Sequence, residues 1–406
     1  MKTYISPYLI LAIIARALSA LAIFNWMHKT TTSAFGPFSY SIATAGLIGG
    51  FFSFGLEMSL NVKLSAKSSS KEKSLIIGSG IKVAVIGVIG ALGSSIFLPM
   101  LGGELPKNSQ LIVFSVSCCH IISSLLNGIC FSERLEHWVA SFWLSSATIF
   151  LLLSFSMGAA SSAVMGAAYL ISLSAPLVLQ SVLLYFAIVA RHGGISVMKL
   201  NAPELLEIIK IGGKSFSISG LFLFMLWLTQ TSVSHSPDSD DQLSILGLSN
   251  QIYNIVIFIP SIIGPLILRR FSSSSEKLLL PQIVRGQMGV FSILSVFITL
   301  SCFFLVRIIE AYLPAGYAGA AMVSSVAAAA AAIHFVKSPV SIYFSSSLHL
   351  GYDLVASIAG AAFIGLLVIV FSPMSAMSAA TSRLGAHLIQ FTIVLLFFLK
   401  IERRQS

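Results

Sequence analysis

The sequence predicts an all-α polytopic membrane protein, with about twelve transmembrane helices in two six-helix bundles. Three observations carry this. The 406 residues are 56% hydrophobic and only 9% charged, where a soluble chain carries about 25% charged residues. Apolar runs of about 20 residues, the length that crosses the hydrocarbon core as a helix, recur along the chain with short polar breaks, leaving no room for a soluble domain. The longest basic connection, RHGGISVMKLNAPELLEIIK at 191–210, falls midway and divides the runs into two sets of six.

The spans run roughly over 7–26, 37–60, 75–98, 110–130, 138–157 and 162–190 before that connection. After it they run roughly over 211–233, 244–267, 284–306, 319–345, 354–372 and 379–399. The expected domains are a bundle at 1–190, a cytoplasmic linker at 191–210 and a second bundle at 211–406. In the linker, Gly193-Gly194 is a flexible break and Pro203 can open a short amphipathic helix. The first run behaves as a span, with no small-residue cleavage site after it, so no cleavable signal is expected.

Orientation follows from the basic residues, which resist translocation. One set of connections holds Lys63, Lys67, Lys71, Lys73, Arg134, Arg191, Lys199, Lys210, Arg269, Arg270, Lys277, Lys400, Arg403 and Arg404. The other holds Lys29, Lys107, Arg307 and Arg383, with the acidic SPDSDDQL at 236–243. The first set is cytoplasmic on this reading, with both termini inside. The net charge of +10 is thereby spent on topology, and no nucleic-acid partner is expected. The four cysteines, Cys118, Cys119, Cys130 and Cys302, lie in or beside apolar runs and read as packing residues, without disulfide or metal roles.

A faint repeat supports the division. AFGPFSYSIATAGLIGGFF (34–52) follows the first span and ILGLSNQIYNIVIFIPSII (245–263) follows the seventh. Each opens with a glycine followed by small and polar residues and then an apolar run. An even number of spans per half implies parallel repeats, related by an axis along the membrane normal, with a substrate site where the halves meet.

Intramembrane charge is the functional signal. Arg16, Lys82, Lys214, Arg285 and Lys337 fall within spans, against only Glu57 and Asp353 as acidic counterparts. A lysine or arginine at mid-membrane costs roughly 2.5–3.5 kcal/mol on insertion scales, so it persists where protein, water or ligand neutralises it. Lys82, Lys214 and Arg285 lie close to cytoplasmic ends, where snorkelling to the headgroups is an equal account for Lys82 and Lys214 and the better one for Arg285. Arg16 and Lys337 are deeper, and for them a cavity wall is the better account. Pro339, after Lys337, removes a helical hydrogen bond at a depth where water is scarce. Pro176, Pro260 and Pro265 mark further weak points, as packing kinks or as gating hinges. Polar residues on apolar backgrounds (His120, Asn127, Gln180, Gln230, Asn250, Gln251, Asn254 and His334) either join helices or line a glycan path. His334 shares a helical face with Lys337.

These residues, in their order, resemble the O-antigen and polysaccharide flippases (Wzx type), in the superfamily of the lipid II flippase and the multidrug and toxic-compound extrusion (MATE) transporters. The resemblance rests on Arg16, on the turn and second span AFGPFSYSIATAGLIGGFFSFGLEMSL (34–60) and on the block at 208–268 with IIKIGGKSF, LGLSNQIYNIV and IPSIIGPLI. A later stretch, YLPAGYAGAAMVSSVAA (312–328), also matches. It covers nearly the whole chain, and its specificity lies in the order of degenerate motifs. Lys214 stands where the family usually has a small residue and proline.

The resemblance implies a MATE-like pair of bundles around a central cationic cavity, alternating between two faces of the cytoplasmic (inner) membrane of a bacterium. The implied substrate is an undecaprenyl-pyrophosphate-linked oligosaccharide for surface polysaccharide or lipopolysaccharide biosynthesis. Arg16, Lys337, Lys214, Lys82 and Arg285 would supply the cationic cavity, since a pyrophosphate needs several positive contacts. His334, His120, Asn254, Gln251 and Glu57 would supply glycan or proton contacts. Other expected partners are membrane lipids, H+ or Na+ as coupling ion, and a polysaccharide polymerase. No catalytic constellation, cofactor motif or metal set is expected.

An ion-coupled multidrug or metabolite exporter of the same superfamily is the alternative, although it would want acidic residues in the N-terminal half. A membrane polymerase would want larger outer loops than 99–109, 234–243 or 307–318 provide. Asp238, Asp240 and Asp241 read as an acidic outer loop rather than a metal site.

Overall fold

The computed structural model describes residues 7–67, 69–102, 109–158, 160–193, 202–273, 280–346 and 349–405. Lys107, Lys199 and Lys277 lie outside them. Every regular element is helical. The order is α1 (Pro7–Lys29), α2 (Thr32–Phe52), α3 (Leu56–Ser65), α4 (Ser70–Gly102), α5 (Ser109–Ser132), α6 (Glu136–Ser156) and α7 (Ser162–His192). There follow α8 (Ala202–Ser234), α9 (Ser239–Val256), α10 (Phe258–Ser273), α11 (Leu280–Tyr312), a 3-10 turn at Ala315–Tyr317, α12 (Ala320–Ser346), α13 (Leu350–Phe371) and α14 (Ala376–Gln405).

Among the described residues, 10 helical spans are long and apolar enough to cross a membrane, or 11 with the bent pair α9 and α10. The chain is an all-α polytopic membrane protein. The difference from twelve centres on α8, several of whose side chains are outside the described set and which is not in that count. Lipid exposure is legible on α11, where Ile293, Val296, Phe297, Leu300 and Phe304 are all exposed. Their spacing of three and four residues makes an apolar stripe that only a bilayer would cover.

Two expected spans are broken rather than straight. The second divides into α2 and α3 around Ser53-Phe54-Gly55, where Phe54 and Gly55 both adopt positive φ (46° and 63°). The eighth divides at Ile257 into α9 and α10, bent by 46°. Pro260, one turn into α10, lacks the N–H that would bond the Val256 carbonyl, which loosens the ladder at that joint. By contrast α7 continues through Pro176 and α12 through Pro339. The helix that opens at Pro203 also continues, past residue 210 to Ser234, because nothing in the intervening sequence stops it.

The chain divides into two compact units. One comprises 1–29 and 41–216, the other 30–40 and 217–406. Thus α2 and α8 each contribute residues to both. In the first unit α1 packs along α6, and α5 packs against α3, α4 and α7. Lys29 Nζ donates to the carbonyls of Ser154 (2.9 Å), Phe155 (3.3 Å) and Met157 (3.4 Å), where the C-terminal end of α6 concentrates negative charge. Asn25 Nδ2 joins it on Ser154 O at 2.7 Å.

The break between α2 and α3 meets α8 backbone to backbone. A Cβ placed on Gly212 would overlap the carbonyl oxygen of Phe54, so IIKIGGKSF needs a glycine there. Lys63 of α3, which is buried, closes the same junction by pairing with Glu204 and with Glu207 (2.6 Å) on the first turns of α8.

In the second unit α12 is central, packed against α9, α10, α11 and α14. Its far end joins an apolar cluster of Val284, Val340, Tyr343, Phe344, Ala356, Val394 and Phe398. The N-terminal part of α2 crosses α9 at glycines of the two repeats. A Cβ at Gly36 would lie 2.7 Å from the Asp240 carbonyl, and one at Gly247 would lie 2.5 Å from Ser39 Oγ. Ser244 Oγ donates to the Thr32 carbonyl at 3.0 Å beside them.

Candidate functional site

The polar interior of the second unit is built from four helices. On α12, His334, Lys337 and Ser341 recur at spacings of three and four and share one face. On α14, Arg383, His387 and Gln390 recur at four and three and share another. Tyr253 comes from α9 and Asp353 from the first turn of α13. Contact between these faces forms a continuous network. Lys337 Nζ donates to Gln390 Oε1 at 2.8 Å, and both residues are buried. Asp353, also buried, interacts electrostatically with Lys337 and accepts from Ser341 Oγ at 3.2 Å.

The Tyr253 hydroxyl bridges two imidazoles, at 2.7 Å from His334 Nδ1 and 2.8 Å from His387 Nε2. A hydroxyl has one proton, so it donates to one ring and accepts from the other, which locks the two histidines into complementary roles. The Tyr253 and His387 rings stack with centroids 5.7 Å apart. The Arg383 guanidinium lies over the Tyr253 ring, 4.4 Å from its centroid.

Arg383 also reaches a narrow pocket lined by Thr229 and Gln230 of α8, Ser249 and Asn250 of α9 and Ala379 and Ala380 of α14. Among the described residues no carboxylate pairs with Arg383 and no acceptor takes a hydrogen bond from it. Among the described residues its five-donor guanidinium is met by the Tyr253 ring face.

The sequence-predicted residues scatter over this architecture. Lys337 and His334 come together as neighbours in the network. Arg285 lies elsewhere, exposed, with its guanidinium 2.7 Å from Glu402 on α14. Gln251 and Asn254 are half-buried on α9. In the first unit Arg16, half-buried on α1, interacts electrostatically with Tyr169 of α7. Lys82 is half-buried on α4. His120 of α5 packs its Cβ against Gly49 of α2. Glu57, in the first turn of α3, accepts from Asn127 Nδ2 at 3.4 Å. Lys214 is in α8, and its side chain is outside the described residues.

Arg383 corrects the sequence reading, which placed it among the outer connections. It stands in the second turn of α14, since the small residues that precede it, SAMSAATS, are themselves helical from Ala376. Tyr253, His387 and Gln390 were missed with it. The signal was present, because 383, 387 and 390 trace one face of a helix as clearly as 334 and 337 do.

No protein-family model and no curated protein matches this chain. Solved structures do. An inward-facing multidrug resistance transporter of the MATE family superposes over 97% of this chain and 98% of its own, with a TM-score of 0.70 at 9% identity. The fold is MATE-like. A MOP-superfamily transporter from Pyrococcus furiosus, described as having a binding pocket of reversed polarity, covers 98% of this chain and 94% of its own with a TM-score of 0.72 at 10% identity. The lipid II flippase MurJ, in an inward closed conformation, covers 98% and 90% with a TM-score of 0.67 at 15% identity. Identities this low make the fold the whole of what the likeness shows.

Proposed function

We propose that this MOP-fold chain is a transporter working by alternating access, and that its substrate is anionic and lipid-linked, an undecaprenyl-pyrophosphate-linked oligosaccharide carried outward across a bacterial inner membrane. One observation carries the anionic part: Arg383 opens into a pocket with no carboxylate paired to it among the described residues. Such a charge is costly in a membrane interior, and an anionic ligand offsets the cost at the moment of binding. Arg16 is the corresponding candidate in the first unit, with Lys82 and Lys214 as secondary ones. Lys337 supports the site from behind, holding Gln390 and balancing Asp353, while Arg285 is a surface ion pair. Both termini lie in the cytoplasm on this proposal, and H+ or Na+ coupling belongs to it as well.

Export of drugs or metabolites is the second reading. It is favoured by the likeness to solved MATE transporters, several of which superpose on nearly the whole chain. Cationic drugs would meet Arg383 as a like charge, which disfavours that class of substrate in particular. Complementation separates the two. In a bacterium lacking its own O-antigen flippase, this chain restores surface glycan while Arg383→Ala and Arg16→Ala at matched expression leave lipid-linked precursor inside. Resistance to cationic drugs without any restored glycan, across several glycan types, would establish the exporter instead.

A further inference from the structure

The first unit holds a cluster whose chemistry is the reverse of the Arg383 network, oxygen acceptors in place of cations. Glu57 stands in the first turn of α3, just past the break at Ser53-Phe54-Gly55, and the N-terminal end of a helix suits a negative side chain. The hydrogen bond it accepts from Asn127 Nδ2 is 3.4 Å long, against about 2.7–2.9 Å for a well-formed bond to a charged group. Among the described residues no lysine, arginine or histidine pairs with Glu57. The basic residues that α4 and α7 bring to this end of α5, Lys73 and Arg191, are both engaged by Glu133, at 2.8 and 3.5 Å. Tyr8 of α1 interacts electrostatically with Glu57 and with Glu136 of α6, so a second carboxylate faces the same region.

Two amide oxygens complete the cluster. Asn127 Oδ1 and Gln180 Oε1 are buried without a hydrogen-bond partner, in residues only 7% and 5% exposed, so water does not readily stand in for one. Cys130 lies one turn beyond Asn127 on α5, and Gln180 Nε2 of α7 faces its Sγ at 3.8 Å. Each amide thus turns its NH2 to a protein neighbour, Glu57 in one case and Cys130 in the other, and keeps its oxygen unmet.

A carboxylate beside two such oxygens calls for a cation. A proton on Glu57 would supply one O–H, enough for one of the two amide oxygens, whereas a metal ion contacts carboxylate and amides together. Hard ions are held by carboxylate and carbonyl oxygens, and a divalent one takes six or more of them with several carboxylates, which exceeds this set. Transporters place Na+ at the ends of discontinuous helices, and α2 and α3 are the two pieces of one broken span. We infer that Glu57, Asn127 and Gln180 form a Na+ site in the first unit. Glu57 is half-buried, which leaves the ion a side from which to approach. The inference bears on the coupling ion of the proposed function and needs nothing from its substrate.

Equilibrium binding of radioactive sodium to the purified full-length protein in detergent tests it, with choline holding the ionic strength constant and no glycan present. Wild type is expected to bind Na+ saturably. Glu57→Gln should weaken the affinity at least about tenfold, the worth of one lost charge contact. Asn127→Leu and Gln180→Leu should each weaken it about two- to tenfold, as the loss of one neutral oxygen contact does. Thermal unfolding shows which variants are folded, and the two amide variants carry the test if Glu57→Gln is not. Folded wild type without saturable Na+ binding overturns the inference, as does binding that all three substitutions leave unchanged. An infrared carbonyl band of a protonated carboxyl group, removed by Glu57→Gln and indifferent to Na+, would give the site to a proton and overturn it as well. None of these failures touches the flippase reading, because complementation does not ask which ion binds, and failed complementation would leave a Na+ site that needs no substrate.

Discussion

Lys337 and Arg383 show two ways of keeping a cation inside an apolar helix bundle. Lys337 is satisfied internally, by Gln390 at 2.8 Å and by the charge of Asp353. Arg383 is left open to a pocket. Truncating Gln390 leaves a buried ammonium short of an acceptor, a loss of about 2–3 kcal/mol for a hydrogen bond to a charged group. Replacing Lys337 by Met strips the buried Asp353 of its counter-charge, and breaking one side of a buried charge pair costs about 3–5 kcal/mol. Lys337→Met is thus expected to lower the thermal midpoint in detergent more than Gln390→Leu does, and adding Asp353→Asn to Lys337→Met should recover part of the loss; the order of midpoints by differential scanning fluorimetry checks it. Lys337 and His334 were legible in the sequence because they interrupt a long apolar run. Arg383 was not, because it follows a run of Ser, Ala and Thr whose polarity reads as a connection although its geometry is helical.

At the scale of elements, the repeat at 34–52 and 245–263 acquires a physical meaning. Gly36 and Gly247, the glycines that open the two copies, are both contact points of α2 with α9. Each lets a backbone or hydroxyl oxygen approach where any Cβ would collide. Gly247→Val is expected to destabilise the protein by about 1–3 kcal/mol, the usual range for overpacking. Gly46→Ala, with nothing within 4 Å of the added Cβ, should be neutral or gain about 0.5–1 kcal/mol from helix propensity. Thermal midpoints of the two variants in one detergent compare them directly. The glycines were visible in the sequence, whereas the breaks at Ser53-Phe54-Gly55 and at Ile257 were not. The first depends on positive φ at a phenylalanine, a residue that rarely adopts it, and the second comes three residues before the proline that weakens it.

At the scale of the whole molecule, composition and span length already set the class, since 9% charged residues and recurrent apolar runs admit nothing but a polytopic membrane protein. The assignment of 30–40 to the second compact unit and of 202–216 to the first was not legible in the sequence, because it depends on how α2 and α8 pack along their lengths and not on any local signal. The polarity of the interior connects this scale to function. On the proposed function, the positive charge of Arg383 would favour an anionic substrate.

The measurement that bears most directly on this account uses purified protein in proteoliposomes loaded on one leaflet with undecaprenyl-pyrophosphate-linked oligosaccharide, its arrival on the other leaflet read by a membrane-impermeant lectin. The account predicts lectin-accessible glycan with wild type and about tenfold less with Arg383→Gln, in line with the loss of a charged contact. No translocation above protein-free vesicles, or equal translocation by wild type and Arg383→Gln, would contradict it.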